Sequence, residues 1–150
     1  AGLLERGGIR FRSFTGLKPD SGEKFVGGDV LLVDTVGELM NLYSLSDVVF
    51  VGGSLVPTGG HNLLEPASRG VPALFGPYMT NFREIAALVI ESGAGVQVNT
   101  PAELSETLRR LIDDPSERQM IGKNSLEMMR ANGGSTERHM KAIAGQLPPR

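Results

Sequence analysis

The sequence predicts an α/β domain on a mostly parallel sheet with helices on both faces. Three observations predict it. The runs "VLLVD", "VVFVGG" and "PALFG" are short and almost wholly apolar, the composition of parallel strands buried on both faces. Segments with helical spacing alternate with them, as in βαβ units. Glycines close the apolar runs, as at Gly52-Gly53, Gly59-Gly60, Gly70 and Gly76, so they punctuate elements and do not form a linker.

Taken in order, "AGLLERGG" reads as the tail of a helix stopped by Gly7-Gly8. "IRFRSF" alternates and reads as a strand with one polar face. "KPDSGEKFVGGD" is a polar loop. "VLLVD" follows as a strand, then "TVGELMNLYSLSD" as a helix with Leu39, Leu42 and Tyr43 on one face. "VVFVGG" and "PALFG" are strands, and "GVQV" is a shorter one. All are expected to pair in one parallel sheet. "NFREIAALVIESG" groups Ile85, Leu88 and Val89 and stops at Gly93. "TPAELSETLRRLIDD" starts with Thr100 as cap, Pro101 at the first position and Glu103 closing a capping box. "DPSERQMIGKNSLEMMRANGG" repeats the device with Asp114, Pro115 and Glu117, and "STERHMKAIAGQL" is a final short helix. Met120, Met128 and Met129 read as core and gap-filling residues, and His139 as a surface residue. The whole reads as a single domain, residues 1–150. A chain that opens inside a helix, with no strand before it, is expected to be cut from a longer protein.

Composition narrows the chemistry. The formal net charge of −2 over 150 residues advertises no nucleic-acid partner. Without cysteine there are no disulfides, thiolate metal sites or thiol nucleophile, and with only His61 and His139 a multi-histidine metal site is not expected. No apolar run approaches the ~20 residues of a membrane span.

Ligands of open parallel sheets bind beyond the carboxyl ends of the strands. Two segments should lie there with the same local grammar: "DTVGEL" after "VLLV", and "GGHNLLEPA" after "VVFVGG" and "SLVPT". Thr35 can cap a helix whose third residue is Glu38, and Asn62 one whose third residue is Glu65. Each helix start would offer free N–H groups and a positive dipole end, which suits a phosphate. Gly59 and Gly60 remove side chains, so a ligand could approach the main chain. The plainer alternative is that both carboxylates merely close capping boxes, worth about 1 kcal/mol per cap. That suffices for either site alone, but capping needs neither two glycines nor the imidazole of His61. Glu38 and Glu65 are expected to open onto one edge of the sheet.

Other motifs are absent. "GGDVLLVD" and "VGGSLVPTGG" lack the G-x-G-x-x-G spacing, and no P-loop or nucleophile elbow appears. A Ser54–His61 dyad would have no third residue placed by any motif.

"DTVGELMNLYSLSDVVFVGGSLVPTGGHNLLEPA", followed by "GPYMTNFREI", resembles the carboxyl-terminal half of the 3-deoxy-D-manno-octulosonic acid (Kdo) transferases. The Gly-Gly-Ser-Leu-Val and Gly-Gly-His-Asn blocks make the resemblance specific, and it runs over nearly the whole chain. Leu63, Val36 and Tyr78 stand where the family usually shows Pro, Met and His. The resemblance implies a Rossmann-like carboxyl-terminal domain of GT-B architecture. It implies transfer of Kdo from CMP-Kdo to the lipid A precursor of lipopolysaccharide, with inversion, at the cytoplasmic face of a Gram-negative inner membrane. Val36, Gly37 and Glu38 would line one side of the CMP site. Gly60, His61, Asn62, Leu63, Leu64 and Glu65 would line the other, with Glu65 on the ribose hydroxyls and Asn62 toward the phosphate. Asn81 and Phe82 are weaker members. CMP-Kdo is a substrate, and no cofactor or metal is implied. The family's general base, a Glu, lies in the amino-terminal half with the acceptor site and the membrane contact, and a Pro-Arg-His block of the CMP site also precedes this stretch. No catalytic residue is therefore assigned here, and the chain alone is expected to be inactive. The alternatives are a nucleotide-sugar epimerase of GT-B architecture and a non-catalytic nucleotide-sugar-binding subunit.

Overall fold

The computed structural model describes residues 1–17 and 25–133. The elements run α1 (Gly2–Arg6), β1 (Phe11–Ser13), β2 (Val30–Leu32), α2 (Leu39–Tyr43), β3 (Val49–Val51), α3 (Leu64–Ser68), β4 (Ala73–Phe75), α4 (Arg83–Glu91), β5 (Gly95–Gln97), α5 (Pro101–Asp113) and α6 (Pro115–Asn132). The expected elements are thus present in the expected order. The last predicted helix, with His139, and most of the polar loop lie outside the described residues.

The chain divides into two compact units, one ending at Asn41 and the other starting at Leu42, so the boundary falls inside α2. In the first unit β1 and β2 pair in parallel, with Phe11 opposite Val30 and Ser13 opposite Leu32. Asp34 ties the carboxyl ends of this pair together. Its carboxylate accepts from the Thr15 N–H at 3.0 Å and from the Thr15 hydroxyl at 2.5 Å. These bonds, the hydroxyl's first, hold the Asp34 carboxyl below its ordinary pKa. At the other end of the strands, Asp29 receives Arg10 and Arg12, each at 3.8 Å.

The second unit contains a three-stranded parallel sheet, ordered β3-β4-β5. Strand alternation sends β4 side chains to opposite faces. Ala73 and Phe75 join Leu63, Ala67, Ala86, Val89 and Met128 in one cluster, which brings α3, α4 and α6 onto that face. Leu74 meets Leu111 and Ile121 in another, with Leu104 and Leu108 of α5 against it. Helices therefore cover both faces, as the sequence predicts.

Three expectations need correction. The strands form two ladders, β1-β2 and β3-β4-β5, and not one, because a parallel crossover need not deliver the next strand to its predecessor's side. Only β4 is buried along its length; Phe50 of β3 is 37% exposed. Met120 is exposed on α6, whereas Met128 is core and Met129 packs against it.

The well-marked helices form as read. Thr100 accepts from the Glu103 N–H at 3.1 Å and Pro101 opens α5. The Glu103 carboxylate reaches one residue beyond the cap, to the Asn99 N–H at 2.7 Å. Asp114 accepts from the N–H groups of Ser116 and Glu117, and Glu117 turns its carboxylate to Arg110 instead of closing a box.

Candidate functional site

In the first unit the stretch after β2 bends before its helix begins. Gly37 lies at φ +102°, open to α-left conformations that a side chain resists. Val36 is fully exposed and Glu38 is half-buried. The helix starts at Leu39, so Glu38 precedes it and is not its third residue. Thr35 makes no cap; the Glu38 carboxylate accepts from Asn41 Nδ2 at 3.2 Å.

In the second unit the stretch after β3 is a glycine-hinged loop closed on itself. The Gly53 carbonyl accepts from the Gly60 N–H at 2.9 Å and from the Thr58 hydroxyl at 2.7 Å. Ser54 is fully buried: its hydroxyl donates to the Val51 carbonyl at 2.5 Å and accepts from the Gly76 N–H at 2.8 Å. It is a structural bracket between the loops after β3 and β4, not half of a dyad with His61. The exposed His61 instead lies over Gly53, where a Cβ would stand 3.3 Å from its Nε2.

Asn62 Oδ1 accepts from the Leu64 N–H at 3.0 Å, and its Nδ2 donates to Glu65 Oε1 at 3.5 Å. The helix proper begins at Leu64, so Glu65 is its second residue and not its third. Pro66 follows, buried, with its missing N–H in the first turn where no intrahelical acceptor exists. At five residues, α2 and α3 are single turns. The summed macrodipole expected at these starts needs a longer run of aligned peptides, so what the starts contribute is local N–H groups and side chains.

The predicted site residues separate by role. Leu63 is fully buried in the core, and Leu64 packs against that core half-buried, so neither presents a free side chain. Gly59 and Gly60 are both buried and at positive φ. Their missing side chains do not open the main chain to a ligand. A methyl on Gly59 would stand 2.8 Å from Asn81 Cγ, and one on Gly60 3.0 Å from Met79 Cε. The space is filled by the loop after β4. His61 is exposed, and Asn62 and Glu65 are half-buried.

Glu65 differs from Glu103 in one respect that matters. Glu103 gives its carboxylate to a backbone N–H, as a capping residue should. Glu65 takes no backbone N–H; its one side-chain hydrogen bond among the described residues is the long one from Asn62. Both oxygens retain lone pairs for further donors. The sequence places Tyr43 only on the apolar face of its helix and not in the site. Its phenol is half-buried, and burial first, then the Glu65 charge, push its pKa up. No sequence signal marks that proximity, because it joins separate elements.

Among the described residues no cluster of three His, Asp or Glu side chains could hold a metal, and no helix is long and apolar enough to cross a membrane.

Residues 17–128 match the family of glycosyl transferases group 1. The chain is similar to bacterial 3-deoxy-D-manno-octulosonic acid transferases. It is 38% identical to that of Haemophilus influenzae over 79% of this chain and 28% of the relative. It is 36% identical to that of Chlamydia muridarum over 98% of this chain and 33% of the relative. The chain thus spans about a third or less of the curated relatives it matches. Among solved structures it is similar to the C-terminal CMP-Kdo binding domain of WaaA from Acinetobacter baumannii, with a TM-score of 0.76, 27% identity and coverage of 86% of this chain and 65% of that one. The resemblance read from the Gly-Gly-Ser-Leu-Val and Gly-Gly-His-Asn blocks is borne out, as is the Rossmann-like carboxyl-terminal fold.

Proposed function

The chain belongs to the group 1 glycosyl transferases, and from that membership we propose that it is the donor-binding part of a Kdo transferase, holding CMP-Kdo while Kdo passes to a lipid A precursor. The relatives' transferase activity and the neighbour's CMP-Kdo binding support this reading over epimerisation. The single observation that carries it in the structure is the Glu65 carboxylate, which no backbone N–H occupies. Two ribose hydroxyls are donors that such a carboxylate can accept from.

The roles follow from the bonds left over. Glu65 accepts from the ribose. Asn62 spends its oxygen on the Leu64 N–H, so it offers the phosphate its Nδ2 hydrogens and not its carbonyl. Gly60, His61, Leu63 and Leu64 are assigned to the same site by resemblance, with Gly60 and Leu63 buried beneath it. Val36, Gly37 and Glu38 are carried to the nucleotide by resemblance alone. These groups bind and orient; the base that activates the acceptor belongs to the amino-terminal half, with the acceptor site and the membrane contact. On this reading the intact enzyme works at the cytoplasmic face of a Gram-negative inner membrane.

Nucleotide choice tests it. Calorimetric titration of the intact protein should show CMP binding at least tenfold tighter than UDP. Equal affinity, or a preference for UDP, would replace the proposal with a different nucleotide-sugar enzyme.

A further inference from the structure

The loop that leads from β3 to Asn62 turns on three glycines, and its own closure is the pair of hydrogen bonds that the Gly53 carbonyl accepts from Gly60 and Thr58. Gly53, Gly59 and Gly60 lie at φ +67°, +100° and +73°, and each removes the Cβ that would restrict its neighbours. Gly59 and Gly60 are buried, and the atoms nearest the place of a Cβ on either belong to the stretch "GPYMTN" after β4. Asn81, itself exposed, lays its amide where a Gly59 side chain would stand, and its backbone N–H donates to the Gly59 carbonyl at 3.2 Å. Met79, itself 4% exposed, packs its thioether on Gly60. The Tyr78 N–H completes the join at the Ser54 carbonyl, 2.9 Å away.

We propose that Asn81 is a positioning residue for the nucleotide: seated in the space over Gly59, it locks a glycine hinge and presets Asn62 and Glu65 in their binding geometry. The inference rests on the donor-site reading and deepens it, because Asn81 acts through the loop and need not touch the ligand. A glycine pair with the Asn81 side chain removed regains conformations that cannot bind. Ordering them on binding lowers affinity in proportion to the competent fraction. The backbone bond from Asn81 survives any side-chain change, so the effect isolates the packing.

Hydrogen exchange and CMP titration on the intact protein test this together. Asn81→Ala should speed exchange of the Gly60 amide, which the Gly53 carbonyl holds, in the absence of nucleotide and weaken CMP by about three- to tenfold. Asn81→Asp, isosteric with the native side chain, should restore the slow exchange. Unchanged exchange in a folded Asn81→Ala protein overturns the proposal. So does weakened CMP binding with unchanged exchange, which would make Asn81 a direct ligand contact. Faster exchange with unaltered CMP affinity, in a protein where Glu65→Gln does weaken CMP, overturns the link from hinge to nucleotide. If exchange quickens and neither variant alters CMP binding, the donor-site reading is the part that has failed, and the link to the nucleotide falls with it.

Discussion

At the residue scale, two carboxylates with the same sequence grammar do different things. Glu103 and Glu65 each stand three residues after a capping side chain, yet only Glu103 receives a backbone N–H. The residue types of the site were legible in "GGHNLLEPA"; which of them face outward was not. Leu63 is core and the two glycines are packed over, because burial depends on what the loop after β4 brings to them. Tyr43 offers a check on Glu65. Its raised pKa means the folded protein keeps the phenolic proton through a range where the unfolded chain has lost it, so stability should fall as pH rises past 10.0. Ultraviolet titration of wild type against Tyr43→Phe isolates this group. Glu65→Gln removes the second cause and should bring the Tyr43 midpoint down toward, but not to, the ordinary value. An unmoved midpoint would mean the carboxylate does not act on the phenol. In the first unit, Asp34 has the opposite sign. Its lowered pKa contributes stability that is present above pH 3.8 and lost as pH falls through the depressed value. Thr15→Val should raise the Asp34 midpoint in a carboxyl-resolved NMR titration by removing the hydroxyl donor; an unchanged midpoint would contradict the assigned cause.

At the element scale, the helix starts marked by both a cap and a proline were read correctly, and those inferred from a Thr or Asn with a Glu three residues on were not. Helices α5 and α6 start where Thr100-Pro101 and Asp114-Pro115 say, since a cap and a proline are chemistry within four residues. Asp114→Ala should therefore cost about 1 kcal/mol, read from denaturant midpoints, for the two N–H groups it leaves unpaired. Helices α2 and α3 are a single turn each, shorter than their patterns suggested, because the preceding residues bend into loop contacts. The loops after β3 and β4 meet so closely that a Cβ on Gly76 would collide with the Ser54 backbone, 2.6 Å from the Leu55 nitrogen. Backbone cannot step aside as a side chain tip can, so Gly76→Ala should destabilise by about 3 kcal/mol or more. Stability within 1 kcal/mol of wild type would show that the two loops are not locked together.

At the scale of the whole molecule, fold class and family were both legible, for different reasons. Alternating apolar runs and helical patterns suffice for a parallel α/β architecture, and the two clusters on opposite sides of β4 confirm helices on both faces. The division into two ladders was not legible, because strand order depends on crossovers and not on the strands' own composition. If the proposed function holds, with the base and acceptor surface in the amino-terminal half, the 150-residue chain should give no turnover with CMP-Kdo and lipid A precursor. Measurable transfer would place a catalytic group within it. The central claim, that Glu65 holds the nucleotide, is tested most directly by titrating CMP into intact wild type and Glu65→Gln, with melting temperatures alongside. A charge-assisted hydrogen bond to ribose exceeds a neutral one by roughly 1 kcal/mol or more. The account predicts about a tenfold loss of CMP affinity at an unchanged melting temperature. Unchanged affinity in the folded variant would contradict it and leave Glu65 as a residue that serves its helix.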